Sequence, residues 1–246
     1  MVNKISLVLL LIAFATTLTA QNIGIGIPAP LGKLHIKGAS DVSQLIIEAN
    51  STQSNTSPLF KLRNSLGNDL LWLHADDTSN IFLGLHAGGF NSISGGGAYN
   101  TFVGSNAGKS NTTGPFNTAI GAGSFLSNST GANNTAIGLV SLFSNSSGIN
   151  NTASGSYSLS SNSTGSENTA SGYGSLFSNT SGDYNTAMGV NTLFSNVTGS
   201  RATAIGYNAM QYSNNTGDAF TNYNVAVGYE ALRGSTDPAA NLGNDN

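Results

Sequence analysis

The chain has 246 residues, of which 8% are charged, and its formal net charge at pH 7 is -3. Globular proteins contain about 25% charged residues on average, and this chain has no basic patch of the kind that binds nucleic acid. Cysteine is absent, which excludes a disulfide framework and a thiolate metal site.

Residues 1–20 have the pattern of a secretory signal peptide. Lys4 supplies the positive start, residues 5–14 the apolar stretch, and Thr19 and Ala20 the small residues before the expected cleavage. The apolar stretch is too short to cross a bilayer, which takes about 20 residues. We therefore predict an exported protein that begins at Gln21 and has no membrane-spanning segment once the signal is removed.

Residues 21–79 predict a small N-terminal β region. Leu34 and Ile36 alternate with polar residues, which is typical of a half-buried strand. Residues 45–49, 59–63 and 70–74 are further strand candidates, and a turn near residues 67–69 joins the last two. We interpret residues 40–79 as a β cap, because the end of a solenoid needs a covering element.

Residues 80–233 contain a repeated unit, and six copies follow one another at a period of 17 residues. They begin at Asn100, Asn117, Asn134, Asn151, Asn168 and Asn185. We number the positions of each unit from 1, the asparagine, to 17. A fixed short period is the signature of a stacked repeat array, in which each unit forms one coil of a solenoid. Residues 234–246 form a polar tail.

Each unit combines a strand pattern with turn chemistry. Position 2 is Thr, position 3 is mostly Ala and position 4 is usually aliphatic, so alternation puts positions 2 and 4 on one face, which we expect to point inward. Position 5 is Gly, which permits a tight bend or a close backbone approach. Positions 6–11 fit either a second short strand or a single helical turn. The Asn-Ser/Thr-Ser/Thr-Gly run at positions 12–15 is typical of a turn.

This pattern predicts both a core and an interface. The predicted core consists of Ile120, Ile137, Met188 and Ile205 at position 4, with Leu142, Leu159, Leu176 and Leu193 at position 9. Position 10 follows the buried position 9 and would therefore point outward if this segment is a strand. Its apolar residues are the predicted subunit interface, and they are Leu126, Phe143, Phe177 and Phe194. An exposed apolar stripe usually marks an interface, whereas a helical turn at positions 6–11 would bury positions 9 and 10 together in a monomer.

The sequence predicts no catalytic, cofactor-binding or metal site. Residues 80–246 contain nine charged residues, so a pair of catalytic carboxylates is not expected. Serine is abundant, but there is no Gly-x-Ser-x-Gly motif and no histidine that recurs with the repeat. Asn-x-Ser/Thr sequences recur at position 12, and we interpret them as turn chemistry rather than as glycosylation sites.

Two units that read NTAIGAGSFLSNSTG and NTAIGLVSLFSNSSG resemble the head repeats of trimeric autotransporter adhesins. They are still more similar to the Asn-Thr-Ala-Ile-Gly repeats of bacterial tail-fibre-domain surface proteins, in which the segment NIGIGIPAPLGKLHIKG also has a counterpart. The resemblance covers residues 22–39 and 80–233. It implies a left-handed parallel β-roll, a homotrimer, and a role in adhesion or as a spike. The adhesin unit is shorter than 17 residues.

We therefore expect an all-β repeat solenoid with a small N-terminal β region, secreted or held at the bacterial cell surface. The expected function is that of a non-enzymatic structural spike that presents a rigid rod for attachment to a host, another surface or a polysaccharide. The alternatives are an ice-binding or glycan-binding solenoid, and a receptor-binding protein similar to a phage tail fibre. The expected inward direction of Thr at position 2 argues against ice binding.

Overall fold

The structure is a computed structural model that describes residues 23–25, 34–36, 60–74, 79–213 and 221–237. Among these residues there are 13 strands and no helix. The chain divides into two units, Met1–Glu48 and Ala49–Asn246. The predicted signal peptide, the strand candidate at 45–49 and the end of the polar tail lie outside the described residues.

In the first unit, strands β1 (Ile23–Ile25) and β2 (Leu34–Ile36) pair in parallel. In the second unit, β3 (Phe60–Arg63) and β4 (Asp69–His74) form an antiparallel hairpin. Gly67 lies in its turn with φ of 82°. These elements confirm the predicted strand near residue 35 and the predicted hairpin.

The hairpin adjoins the repeat array through β5 (Ile81–Leu83), which runs antiparallel to β4. From β5 onward all described strands are parallel. They continue as β6 (Thr101–Val103), β7 (Thr118–Ile120), β8 (Thr135–Ile137), β9 (Thr152–Ser154), β10 (Thr169–Ser171), β11 (Thr186–Met188), β12 (Thr203–Ile205) and β13 (Val225–Val227). Each occupies positions 2–4 of its unit and pairs with the same positions in the next, as Ile120 does with Ile137. The predicted all-β parallel solenoid is confirmed.

The prediction that position 4 lies in the core is wrong. Position 3 is the buried residue of each strand, so alternation turns positions 2 and 4 outward. Ile120, Ile137, Met188 and Ile205 are 41%, 42%, 46% and 38% exposed. The physical reason is that the coil is narrow. Beside the side chain at position 9, its interior has room for little more than the methyl group of an alanine at position 3, so the larger residues at position 4 point outward.

Positions 3 and 9 divide the interior volume between them. Position 9 is buried as predicted, and Leu142, Leu159, Leu176 and Leu193 are fully inaccessible. They lie in units that have Ala at position 3. In the unit of Phe102 the sizes are exchanged, because position 9 is Gly108 and a Cβ there would lie 2.5 Å from the Phe102 ring. The unit of Phe82 follows the same rule with Gly88.

Positions 6–11 form neither the strand nor the helical turn that the sequence predicted. They form consecutive turns in which positions 7 and 9 have left-handed backbone, as in Val140 (φ 58°) and Leu142 (φ 46°). A non-glycine residue in this conformation costs about 1–2 kcal/mol. Burying a leucine side chain stabilises the fold by about 1.5–3 kcal/mol, which is sufficient to offset the backbone strain at position 9.

Glycine at position 5 is required by the close approach of successive coils. Gly138 has φ of 131°, a conformation that side chains rarely adopt. A Cβ at this position would lie 2.6 Å from the carbonyl oxygen of Gly155 in the next coil. The strand therefore ends in the same sharp bend in every coil.

Two ladders of buried asparagines connect the coils. At position 12, Asn145 Nδ2 donates to Asn128 Oδ1 at 2.8 Å and to the Gly148 carbonyl at 3.1 Å. At position 1, the backbone N–H of Asn134 donates to Asn117 Oδ1 at 2.9 Å. Both kinds of contact recur every 17 residues along the array. Buried polar groups are thereby satisfied in a core that has few large apolar side chains.

Candidate interaction surface

The outward side chains of the parallel strands form a continuous surface, which we call the outer sheet face. It consists of positions 2 and 4 of β5–β13, which stand opposite one another in the sheet register. From β6 to β12 position 2 is a column of threonines. Position 4 is mostly aliphatic and forms a second column parallel to the first.

The outer sheet face is uncharged, and half of its side chains are apolar while the other half carry hydroxyls. Positions 2 and 4 of β5–β13 include no charged residue. Besides the four residues corrected above, Ile81 is 58% exposed, Val225 63% and Val227 67%. Large exposed apolar surfaces on soluble proteins mark interaction sites, so this face is the leading candidate for a functional surface.

The hairpin extends the same face by two strands. Phe60 lies opposite Leu73, and Leu73 lies opposite Leu83 of β5. Residues paired in this way point to the same side of a sheet. Phe60, Leu62 and Leu73 are 41%, 46% and 41% exposed. The apolar surface therefore continues from the array onto the cap.

A polar stripe interrupts the aliphatic column in its middle. Ser154 of β9 and Ser171 of β10 are directly paired neighbours at position 4. The sequence pattern predicts that these two serines are neighbours inside the coil; the structure places them side by side but on the outside. Neither hydroxyl hydrogen-bonds with another described residue. We call Ser154 and Ser171 the serine stripe.

The predicted interface residues at position 10 lie outside the coil but are only half-buried. Leu126, Phe143, Phe177 and Phe194 belong to this group. Phe177 and Phe194 stack with a 4.9 Å distance between ring centroids. Position 9 is fully buried whereas the apolar residues at position 10 stay partly exposed, so the segment does not bury these two apolar columns together. Contacts between neighbouring coils cover much of this column, so it is less exposed than the outer sheet face.

Exposed aromatic residues stand at both ends of the strands. Before the strands, at position 17, Tyr99 and Phe116 stack in parallel with centroids 5.1 Å apart. After them, at position 6, Tyr207 and Tyr229 do the same at 5.3 Å. Parallel rings in neighbouring coils cover one another, so few ring faces remain open for a flat ligand such as a sugar.

The other side of the hairpin has the main charged cluster of the described chain. Asp69 accepts from Arg63 Nε at 2.6 Å and from Trp72 Nε1 at 2.9 Å, and Lys61 Nζ lies 3.2 Å away. The bond to Arg63 is the main cause that lowers the pKa of Asp69 from 3.8 to about 2; partial desolvation opposes it, and the bonds to Lys61 and Trp72 add to it. Trp72 also packs edge-on against His86 of the first coil, which ties the cap to the array.

Sequence reasoning missed the outer sheet face and the asparagine ladders. The small residue at position 3 was a usable signal, because a narrow interior accepts Ala more readily than Ile. Asparagine at positions 1 and 12 of nearly every unit was a second signal, because turns alone do not need the same residue at each step. The Asn-x-Ser/Thr asparagines Asn111, Asn128, Asn145, Asn162, Asn179 and Asn196 are fully buried, which supports their interpretation as structural residues.

No family model, curated protein or solved structure matches this chain. Within the described residues, no three His, Asp or Glu side chains come together in a group that could hold a metal ion. The described part of the chain also has no helix long and apolar enough to cross a membrane.

Proposed function

We propose that this protein is a secreted or cell-surface spike whose repeat array assembles as a homotrimer and presents a rigid rod for attachment. The observation that carries the proposal is the uncharged outer sheet face with its exposed column of aliphatic side chains at position 4. A single chain would expose this face to water over its whole length. Three copies around one axis would cover it, since cyclic symmetry brings the same face of every copy together.

The composition of the face supports assembly with copies of the same chain. Interface cores are depleted in charged residues, and positions 2 and 4 of β5–β13 contain none. Flat apolar sheet faces pack against one another at about 10 Å. In this arrangement the position 10 column, including Phe143, is not part of the contact between subunits and contributes to the rod's surface.

The coil-to-coil contacts support a role as a rigid element. Each coil is joined to the next by strand pairing and by the two asparagine ladders. Between two neighbouring coils, Asn168 bonds to Asn151 at position 1 and Asn179 bonds to Asn162 at position 12. At about 4.8 Å per coil, the strands from β5 to β13 span roughly 40 Å. A stiff rod of this kind is suited to holding a terminal element away from a surface.

Light scattering on the mature chain tests the assembly. We expect the mass of three chains, and a single-chain mass would contradict the proposal. The double variant Ile120→Ser and Ile137→Ser should dissociate the trimer while the circular dichroism of the coil is retained, because both residues are exposed in the single chain. Leu126→Ser is the matched control at position 10 and should have a smaller effect on mass.

The proposed location needs a separate measurement. Immunolabelling of intact cells with an antibody against the array should label the outside. Labelling only after the cells are made permeable would contradict a surface or secreted role.

A second candidate function is ice binding, and one observation favours it. The threonines at position 2 point outward and form a regular column from Thr101 to Thr203, whereas the sequence predicted that they point inward. Regular outward hydroxyls on a flat sheet could order water. A thermal hysteresis assay tests this function, and the mass measurement separates the two proposals, because a trimer formed through the outer sheet face would hide the threonines.

A further inference from the structure

The outer sheet face is not uniform along the array. At position 4 it is aliphatic in β5–β8, has serine in β9 and β10, and is apolar again in β11–β13. In the unit of Ser154, the residues two positions before and two positions after the serine are also polar, namely Thr152 and Ser156. In the preceding unit the residues that correspond to Ser154 and Ser156 are Ile137 and Leu139.

A patterned face of this kind matches only a partner with the same pattern at the same level. When two copies align in register, serine faces serine and isoleucine faces isoleucine. If a copy is displaced by two coils, Ser154 and Ser171 face aliphatic side chains. A hydroxyl buried without a partner is costly, and neither hydroxyl has a hydrogen-bond partner among the described residues of the single chain.

We infer that the serine stripe selects the partner and the register of the assembly, with a second copy of this chain as the partner. This inference rests on the proposed homotrimer. Polar residues at single levels of apolar interfaces are known to fix register at some cost in stability. Here the stripe would let a chain distinguish copies of itself from other chains that have Thr-Ala-Ile strands but carry their polar residues in different coils.

In-register assembly also satisfies the stripe, whereas a mismatch leaves it unsatisfied. Hydroxyls can both donate and accept, so the serines of three chains in register can hydrogen-bond with one another through a bridging water enclosed at the axis. The neighbouring threonines Thr152 and Thr169 are exposed beside them and enlarge the set of possible partners. An aliphatic partner satisfies none of these groups.

The test is a competition between two chains with different affinity tags, co-expressed in one cell. One chain is the wild type. The other has the stripe moved by two coils through Ser154→Ile, Ser171→Ile, Ile120→Ser and Ile137→Ser. We expect mixed trimers to be depleted at least about tenfold relative to statistical mixing. With the chain ends aligned, a mixed trimer opposes serine to isoleucine at four levels. Displacement by two coils realigns the stripes but leaves two coils of the face uncovered at each end.

The control is the conservative variant Ser154→Thr with Ser171→Thr, which retains the hydroxyls and should mix statistically with the wild type. Statistical mixing of the chain with the moved stripe would overturn the inference while leaving the homotrimer intact. A wild-type chain that is monomeric by light scattering would instead overturn the proposed function, and the inference with it. If the fourfold variant does not fold by circular dichroism, the double variant Ser154→Ile with Ser171→Ile replaces it, and its depletion or statistical mixing decides in the same way.

Discussion

The ring of Phe102 occupies the space that a side chain at Gly108 would need. A Cβ at Gly108 would lie 2.5 Å from the ring, and both residues belong to the same coil. In the following coils the small residue is Ala119 or Ala136 on the strand, and the large one is Phe125 or Leu142 at position 9. One large and one small side chain therefore fill each of these coils, in either order.

Exchanging the two sizes in the coil of Phe102 should be better tolerated than either change alone. Phe102→Ala should cost about 3–5 kcal/mol by leaving a cavity, and Gly108→Leu about 1–3 kcal/mol or more by overpacking. The double variant reproduces the pattern of the coil of Leu142 and should be more stable than both single variants. Urea unfolding followed by circular dichroism measures the coupling. As a control, the losses in unfolding free energy caused by Phe102→Ala and by the exposed change Ser147→Ala should add when the two are combined. If the losses caused by Phe102→Ala and Gly108→Leu also add, the two side chains do not share one volume.

Alanine at position 5 should strongly destabilise the array. In Gly138→Ala the Cβ would meet the Gly155 carbonyl, and φ of 131° adds backbone strain. The loss should exceed about 1–3 kcal/mol in the free energy of unfolding. Gly123→Asn is the matched control, because the corresponding position is Asn106 in the preceding coil, with similar φ, and a Cβ at Gly123 has no neighbour closer than 3.8 Å. Thermal melts of both variants distinguish a required glycine from an incidental one.

Removing one member of the position 12 ladder should be costly although the residue is polar. Asn145→Ala takes away the donor to Asn128 Oδ1, which is fully buried. A buried acceptor without a partner costs about 1–3 kcal/mol, so the melting temperature should fall clearly. Ser147→Ala, in the same turn but exposed, should change it little. Equal melting temperatures for the two variants would show that the ladder does not stabilise the fold.

The cap should lose stability in acid before the array does. Asp69 has a pKa of about 2 in the folded chain, lowered mainly by Arg63, against 3.8 as its ordinary value. A lowered folded pKa means that its contribution is complete above pH 3.8 and is lost as the pH falls through about 2. Fluorescence of Trp72, the single tryptophan of the chain, should report this loss. In Asp69→Asn the acid transition should disappear, whereas Asp237→Asn should leave it unchanged.

The repeat period was enough to predict the parallel solenoid, its glycine bends and the burial of position 9, because a fixed spacing constrains stacking directly. It was not enough to determine which way the strand faces. A three-residue strand such as Thr135–Ile137 has too few alternations to show which residue is inside. Which residue of the strand points inward depends on the interior volume that remains beside Leu142, and that volume is known only once the coil is closed.

The candidate surface could not be predicted for the same reason. With the strand reversed, Ile137 moves from the core to the outer sheet face, and the role of Ser154 and Ser171 changes with it. The left-handed backbone at position 9 was also out of reach, because leucine does not signal positive φ. Left-handed chain sense and trimeric assembly, both implied by the resemblance, stay predictions.

The position 12 asparagine ladder gives the array a net electric dipole along its axis. In every described step of the position 12 ladder from Asn111 to Asn196, the amide of the later coil donates to the oxygen of the earlier one. Backbone bonds between the same coils run both ways, as Gly138 to Ile120 and Thr135 to Asn151 show, so their dipoles largely cancel. The side-chain amides do not cancel. Aligned bonds polarise one another, so a break at the centre of the column should weaken its remaining bonds more than a break at either end.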